Sequence, residues 1–196
     1  MQLVFATHNS NKLKEVQVLF PKEIELLSLE DIGCLDEIPE TATNLEGNAI
    51  IKANFVTENY GYPCFADDTG LLVDALDGEP GVYSARYAGE QKNADDNMDK
   101  LMLLLQDQPN RSAHFKTVIA LNLNNETLLF KGIVNGEITT TKKGEKGFGY
   151  DPIFKPKGYD QTFAELPLSV KNEISHRAKA IQQLLAFFKN YNDGKK

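Results

Sequence analysis

Residues 113–123 constrain the fold more than any other part of the chain. Ala113, Phe115, Thr117, Ile119, Leu121 and Leu123 alternate with His114, Lys116, Val118, Ala120 and Asn122. A period of two sends successive side chains to opposite faces, which predicts a long strand. Asn124-Asn125-Glu126 turns the chain, and residues 127–138 return as the hairpin partner. Any fold for this chain must therefore contain an extended hairpin and cover it.

The rest of the sequence supplies alternating strands and helices for that purpose. Leu3, Val4, Phe5 and Ala6 form a short continuous apolar run, the pattern of a strand buried on both faces. Leu13, Val16, Leu19 and Phe20 follow at helical spacing, and Pro21 ends that helix. Residues 24–29 read as a second strand, and 31–43, with Gly33 and Pro39, as a long loop. Asn44 caps the next helix, which turns Leu45, Ala49, Ala53 and Val56 inward. A strand near Cys64, Phe65 and Ala66 then runs into Asp67-Asp68-Thr69-Gly70. Asn93 opens a helix with an acidic first turn, Asp95 and Asp96, and Leu101 to Leu105 supply its buried side. Residues 139–149 read as a polar, glycine-rich loop, and the last helix carries Ile174, Ala178, Ile181, Leu185 and Phe188. No repeat, low-complexity tract or linker interrupts the chain, so we expect one domain over residues 1–196. The fold class is α/β, an elongated mixed β-sheet flanked by helices.

Composition narrows the function. Hydrophobic residues make up 41% and charged residues 25%, which excludes an intrinsically disordered chain. With 28 acidic and 21 basic side chains the net charge is −7, the wrong sign for a protein that coats nucleic acid. An acidic chain still binds polyanions if it places a few lysines locally and recruits a divalent metal. Cys34 and Cys64 are too few for a zinc site, and two isolated thiols are the expected state. The apolar run at the start is far shorter than the roughly 20 residues of a membrane span. A cytoplasmic protein without membrane attachment is expected.

Four stretches concentrate chemistry. Thr7-His8-Asn9-Ser10-Asn11-Lys12 lies between the first strand and first helix, where free N–H groups and a helix dipole attract anions. Its short donors and Lys12 suit a phosphate, although the glycines of a P-loop are missing; N-capping by Asn9 or Asn11 is the plainer alternative. Asp67-Asp68 places two carboxylates after an apolar strand, an awkward burial that a divalent metal relieves. Mg²⁺ takes one or two carboxylates together with water and phosphate oxygens. A solvated turn is the commoner fate of such a pair. A single Asp68-Thr69-Gly70 in a partly helical chain does not make an aspartic protease, which needs two such loops. Gly144, Gly147 and Gly149 surround Phe148, with Tyr150 and Asp151 next: glycines for close approach, aromatic rings for stacking on a base, a carboxylate to accept from ring N–H groups. An ordinary loop with a buried aromatic would look the same. Last, Lys171, Ser175, His176 and Arg177 lie near the start of the final helix. His176 and Arg177 are adjacent and cannot share a helical face, so both reach one ligand only from an N-terminal turn capped by Ser175.

Together these stretches resemble the inosine triphosphate pyrophosphatase family, also called Ham1-like. The matching text is Ala6-Thr7-His8-Asn9-Ser10-Asn11-Lys12, Ala66-Asp67-Asp68-Thr69-Gly70-Leu71, Pro80-Gly81-Val82-Tyr83-Ser84-Ala85-Arg86-Tyr87, Gly147-Phe148-Gly149-Tyr150-Asp151-Pro152 and Ser175-His176-Arg177. The resemblance runs from residue 3 to about 186, with five motifs in the family's order and spacing. It implies two lobes around a central nucleotide-binding cleft. It also implies Mg²⁺-dependent hydrolysis of ITP, dITP and XTP to the monophosphate and pyrophosphate, by a homodimer that uses neither nucleic acid nor membrane. By position, residues 7–12 match the triphosphate loop, and Lys52 a lysine facing the phosphates. Glu40 and Asp68 match the metal carboxylates, with Asp68 also the proton acceptor. Thr69 matches a substrate contact, and Phe148, Gly149, Tyr150, Asp151, Lys171, His176 and Arg177 match residues around the base. Two positions depart from the family pattern: His8 stands where Gly or Asn is common, and Gly47 replaces an acidic residue before Asn48-Ala49.

In this scheme Lys12 and the loop amides hold the triphosphate, and Asp68 or Asp67 orients and deprotonates the attacking water. The 6-keto edge of hypoxanthine or xanthine meets donors of His176 or Arg177, which adenine would leave unpaired. A less selective pyrophosphatase and a catalytically silent purine nucleotide sensor are the alternatives. An RNA binder using Arg111, Lys142, Lys143 and Lys146 is disfavoured by the net charge.

Overall fold

The computed structural model describes residues 1–193. The hairpin is present. Strand β5 covers Ser112–Leu123 and β6 covers Glu126–Ile138. Asn124 and Asn125 join them with φ of 52° and 63°. Two successive left-handed residues give the tight turn whose twist matches that of the flanking strands, and asparagine tolerates that conformation.

Before the hairpin come β1 (Gln2–Phe5), α1 (Ser10–Gln17), β2 (Glu25–Leu27), α2 (Leu45–Tyr60), β3 (Cys64–Val73), β4 (Pro80–Gly81) and α3 (Ala94–Leu104). After it come β7 (Phe154–Pro156), α4 (Leu168–Ile174) and α5 (His176–Asp193). The strands form one seven-stranded sheet in the order β2-β1-β3-β5-β6-β7, with β4 paired to β3. It is mixed: β1 runs parallel to β2 and β3, with Leu3 opposite Leu26 and Phe5 opposite Phe65, whereas β3–β4 and β6–β7 are antiparallel. The α/β class with a mixed sheet follows. No helix among the described residues is long and apolar enough to cross a membrane.

The chain divides into two units, each with its own core. Among the described residues the first comprises 1–68, 117–132 and 177–193. Its core joins Leu3, Phe5 and Phe65 of the sheet to Val16 of α1 and to Ile181, Leu184 and Phe188 of α5. The Phe5 and Phe65 rings stack at 4.6 Å. The second comprises 69–116 and 133–176, with Leu71, Leu101, Phe115, Ile138, Phe154 and Phe163 at its centre.

Several boundaries differ from the sequence reading. β2 is three residues rather than the expected 24–29, and α1 stops at Gln17, before Pro21. The carboxylate pair lies inside β3, which continues to Val73, and not in a turn after it. At Gly70 a Cβ would lie 2.6 Å from the Gly81 carbonyl oxygen, so the glycine of that motif is what lets β4 pair closely. Leu103 and Leu104 are exposed, leaving Leu101 and Leu105 as the buried leucines of that stretch. Ile174 belongs to α4, because Ser175 takes an extended ψ of 158° and separates α4 from α5. Cys34 and Cys64 are both buried free thiols.

Candidate functional site

The first unit carries a charged cluster built around β3. Asp67 and Asp68 are consecutive strand residues, so the pleat turns them to opposite faces. On one face Asp67 meets α1 and α5. Lys12 Nζ lies 2.9 Å from its Oδ1 and Arg177 Nε 3.2 Å from its Oδ2. Arg177 Nη1 reaches Glu15 Oε2 at 2.5 Å. On the other face Asp68 meets α2. Asn48 Nδ2 donates to Asp68 Oδ2 at 3.1 Å, and Lys52 Nζ stands 3.8 Å from Oδ1 and 2.6 Å from Glu40 Oε1.

These positions follow from local structure. Asn9 caps α1, its Oδ1 accepting from the N–H groups of Asn11 and Lys12 at 3.0 and 3.2 Å. Thr7 Oγ1 accepts from Asn9 N–H at 3.1 Å. The cap aims Lys12 one turn into the helix, toward β3. Ser10 and Asn11 are exposed. His8 is exposed as well; its Nε2 donates to the Asp36 carbonyl at 2.9 Å, tying the junction to the long loop before α2. Asn44 caps α2 as expected, accepting from Gly47 N–H at 2.8 Å. Asn48 and Lys52, one turn apart on the buried face, are thereby delivered to the carboxylates.

Burial acts on both aspartates, with opposite results. At Asp67 burial opposes ionisation, but Lys12, Arg177 and Lys52 overcome it and hold the carboxyl well below the usual carboxylate range. At Asp68 burial prevails over the pull of Lys52 and Lys12, Glu40 adds repulsion, and the carboxyl is raised. Lys12 is lowered: burial and the nearby Lys52 and Arg177 outweigh its bond to Asp67. Burial also works against Lys52, yet Asp68 and Glu40 raise it. One aspartate is thus a fixed anion, and its neighbour holds a proton more tightly than an ordinary aspartate does.

The second unit holds the remaining expected residues. Asp151 Oδ2 accepts from Phe148 N–H at 2.8 Å and from Lys171 Nζ at 2.6 Å. Gly147, at φ 76°, lies against this carboxylate, where any Cβ would collide with it. The Lys171 ammonium is 5.0 Å from the centre of the half-buried Phe148 ring and 5.7 Å from that of Phe163. The His176 ring stacks on Phe115 at 4.6 Å. Tyr150 is buried and its hydroxyl donates to the Ser84 carbonyl at 2.9 Å. Gly149 takes φ 64°, and Thr69 is half-buried on β3.

Thr7, Asn9, Lys12, Glu40, Lys52, Asp68 and Arg177 therefore fall in the first unit, and Thr69, Phe148, Gly149, Tyr150, Asp151, Lys171 and His176 in the second. His176 and Arg177 open α5 and diverge by about 100° around the helix. Three residues escaped the sequence reading: Glu15, Asn48 and Phe115. For Glu15 and Asn48 the available signal was a polar residue on the apolar stripe of a helix. For Phe115 there was none, since it reads as any inward strand residue.

Residues 3–187 match the model of the Ham1 family. The chain is 65% identical over 185 residues to the dITP/XTP pyrophosphatase of Flavobacterium johnsoniae, covering 94% of this chain and 96% of that protein. It is 51% identical over 187 residues to the dITP/XTP pyrophosphatase of Porphyromonas gingivalis, covering 95% and 96%. Among solved structures, the Ham1 protein of Staphylococcus aureus superposes with a TM-score of 0.90 at 41% identity, over 97% of this chain and 100% of that one.

Proposed function

This chain belongs to the Ham1 family, and from that premise we propose that it is a nucleoside triphosphate pyrophosphohydrolase that cleanses the nucleotide pool of ITP, dITP and XTP. It acts in the cytoplasm as a homodimer, the whole chain serving as one Ham1 domain. The observation that carries the reading is the pair of adjacent aspartates in β3, one held ionised by Lys12 and Arg177, the other raised by burial.

The two carboxylates divide the labour that sequence left open between them. Asp67, committed to two cations, fixes Lys12 and cannot take a proton readily. Asp68, with its raised carboxyl, is the general base. Water attacks the α-phosphorus: its oxygen bonds to phosphorus as the bond to the bridging oxygen breaks. The electron pair leaves with pyrophosphate, and the water proton passes to Asp68. Lys12 and the junction residues 7–11 bind the triphosphate, where fixed positive charge offsets that developing on the leaving group.

Glu40 and Asp68 would hold the Mg²⁺. The donor set fits: two hard oxygen ligands share Lys52 as a common cationic partner, so both lie within reach of one positive charge. Among the described residues no group of three or more His, Cys, Asp or Glu side chains could complete a protein cage, which leaves the other positions to water and phosphate. Bound there, the ion would neutralise phosphate charge.

For the base we assign Phe148, Lys171 and Asp151. Phe148 offers a stacking face, which Lys171 and Asp151 brace. Donors of His176 or Arg177 meet the 6-keto oxygen, and adenine's amino group leaves them unpaired. Asp68→Asn tests the scheme. Turnover of dITP should fall by about 10²-fold or more while dITP binding by the folded protein persists. Near-normal turnover would remove Asp68 from the reaction.

A further inference from the structure

We propose that Asn48 is a positioning residue of the hydrolytic site, one amide that holds the Asp68 carboxylate and the Glu40-bearing segment to each other. Its side chain is 1% exposed and uses both ends. Oδ1 accepts from Ala42 N–H at 2.9 Å and Nδ2 donates to Asp68 Oδ2 at 3.1 Å. An N–H only donates and a carboxylate only accepts, so these two partners fix the amide's orientation. Ala42 is two residues beyond Glu40, and Asn48 therefore anchors the backbone that presents that carboxylate.

Asn48 also distinguishes the two oxygens of Asp68. It takes Oδ2, and Oδ1 is the oxygen turned toward Lys52, the residue that also holds Glu40. Lys52 addresses Glu40 and Asp68 through charge, on a long and adaptable stem. Asn48, one turn earlier on the same helix face, addresses the same two elements through short directional bonds. Close packing supports the anchor. At Gly47 an added Cβ would lie 2.5 Å from Ala42 Cβ, so the segment rests directly on the first turns of α2. The residue that departs from the family pattern is the one that makes room for this contact.

The inference rests on the reading that Glu40 and Asp68 act together in hydrolysis, and the test separates the two. Wild-type protein is first assayed for Mg²⁺-dependent release of pyrophosphate from dITP; absence of activity there defeats the reading itself. Asn48→Ala and Asn48→Asp are then compared with it. Readouts are turnover, the half-saturating Mg²⁺ concentration, thermal stability, and Mn²⁺ bound in the presence of an uncleavable α,β-methylene analogue of dITP, counted from the free-ion EPR signal. Loss of a residue that orients a metal ligand typically costs about 10–100-fold in affinity or activity. Asn48→Ala should lose turnover and Mn²⁺ affinity within that range, with the KM for dITP at saturating Mg²⁺ changed by less than about threefold. Asn48→Asp keeps an acceptor for Ala42 N–H but removes the donor to Asp68, and turnover should fall about as far. A merely structural Asn48 would lower the melting temperature and leave turnover and metal affinity of the folded protein unchanged. That result, or an Asn48→Asp variant with wild-type turnover, overturns the proposal.

Discussion

Asp67 and Asp68 differ by one position and sit in opposite electrostatic regimes. Asp67 binds its proton more weakly in the native state than at its ordinary value of 3.8, because Lys12 and Arg177 outweigh burial. Its contribution to stability is full above 3.8 and is lost as pH falls through the native value. Asp68 binds its proton more tightly when folded, so its contribution favours the fold below 3.8 and disappears as pH rises through the raised native value. Two substitutions of the same kind therefore have different consequences. Asp67→Asn deprives Lys12 of its carboxylate partner and leaves Arg177 with Glu15 alone, and should cost about 3–5 kcal/mol in urea unfolding near neutral pH. In metal-free buffer Asp68→Asn should be at least as stable as wild type. Its advantage should grow as pH rises above 3.8 and the wild-type carboxyl ionises. An advantage that stays flat across that range would mean that Asp68 is not raised. The sequence displays the pair but not this division, which arises because the strand pleat sends the two side chains to different helices.

At the scale of elements, the N-terminal turns of α2 bring the candidate carboxylates together. Asn44 caps the helix, Gly47 admits the preceding segment, and Asn48 and Lys52 reach Glu40 and Asp68. Exchanging a helical glycine for alanine normally favours the helix by about 1 kcal/mol. Gly47→Ala should do the reverse, because its Cβ would overlap Ala42. We expect a loss of about 1–3 kcal/mol in thermal unfolding, typical of overpacking, and a higher Mg²⁺ requirement as Glu40 shifts. A gain in stability would show that the segment relaxes freely. The caps at Asn44 and Asn93 were legible, that at Asn9 only as one of two alternatives with Asn11, and so was the long hairpin, because short polar caps and sustained alternation are local signals. β4 and β7 were not, since two- and three-residue strands carry too little pattern. α4 was missed because its run of residues continues without a breaker into α5, and Ser175 interrupts the backbone rather than the composition.

Across the whole molecule, a net charge of −7 coexists with a function that takes a highly charged anion. Each buried cation of the candidate site already has a carboxylate: Lys12 has Asp67, Lys52 has Glu40 and Asp68, Lys171 has Asp151, and Arg177 has Asp67 and Glu15. On the proposed reading a divalent metal ion would meet much of the phosphate charge. The five motifs identified the family from sequence, and order and spacing sufficed for that. They did not reveal which side chains touch, since Asp67–Arg177 and Asp151–Lys171 are long-range pairs with no local signature. The decisive experiment is hydrolysis of ITP, dITP, XTP, ATP and GTP side by side, with and without Mg²⁺, with pyrophosphate resolved from single phosphate. We expect Mg²⁺-dependent release of pyrophosphate with the monophosphate from ITP, dITP and XTP, and slow turnover of ATP and GTP. Release of single phosphate, or equal rates on ATP, would contradict it.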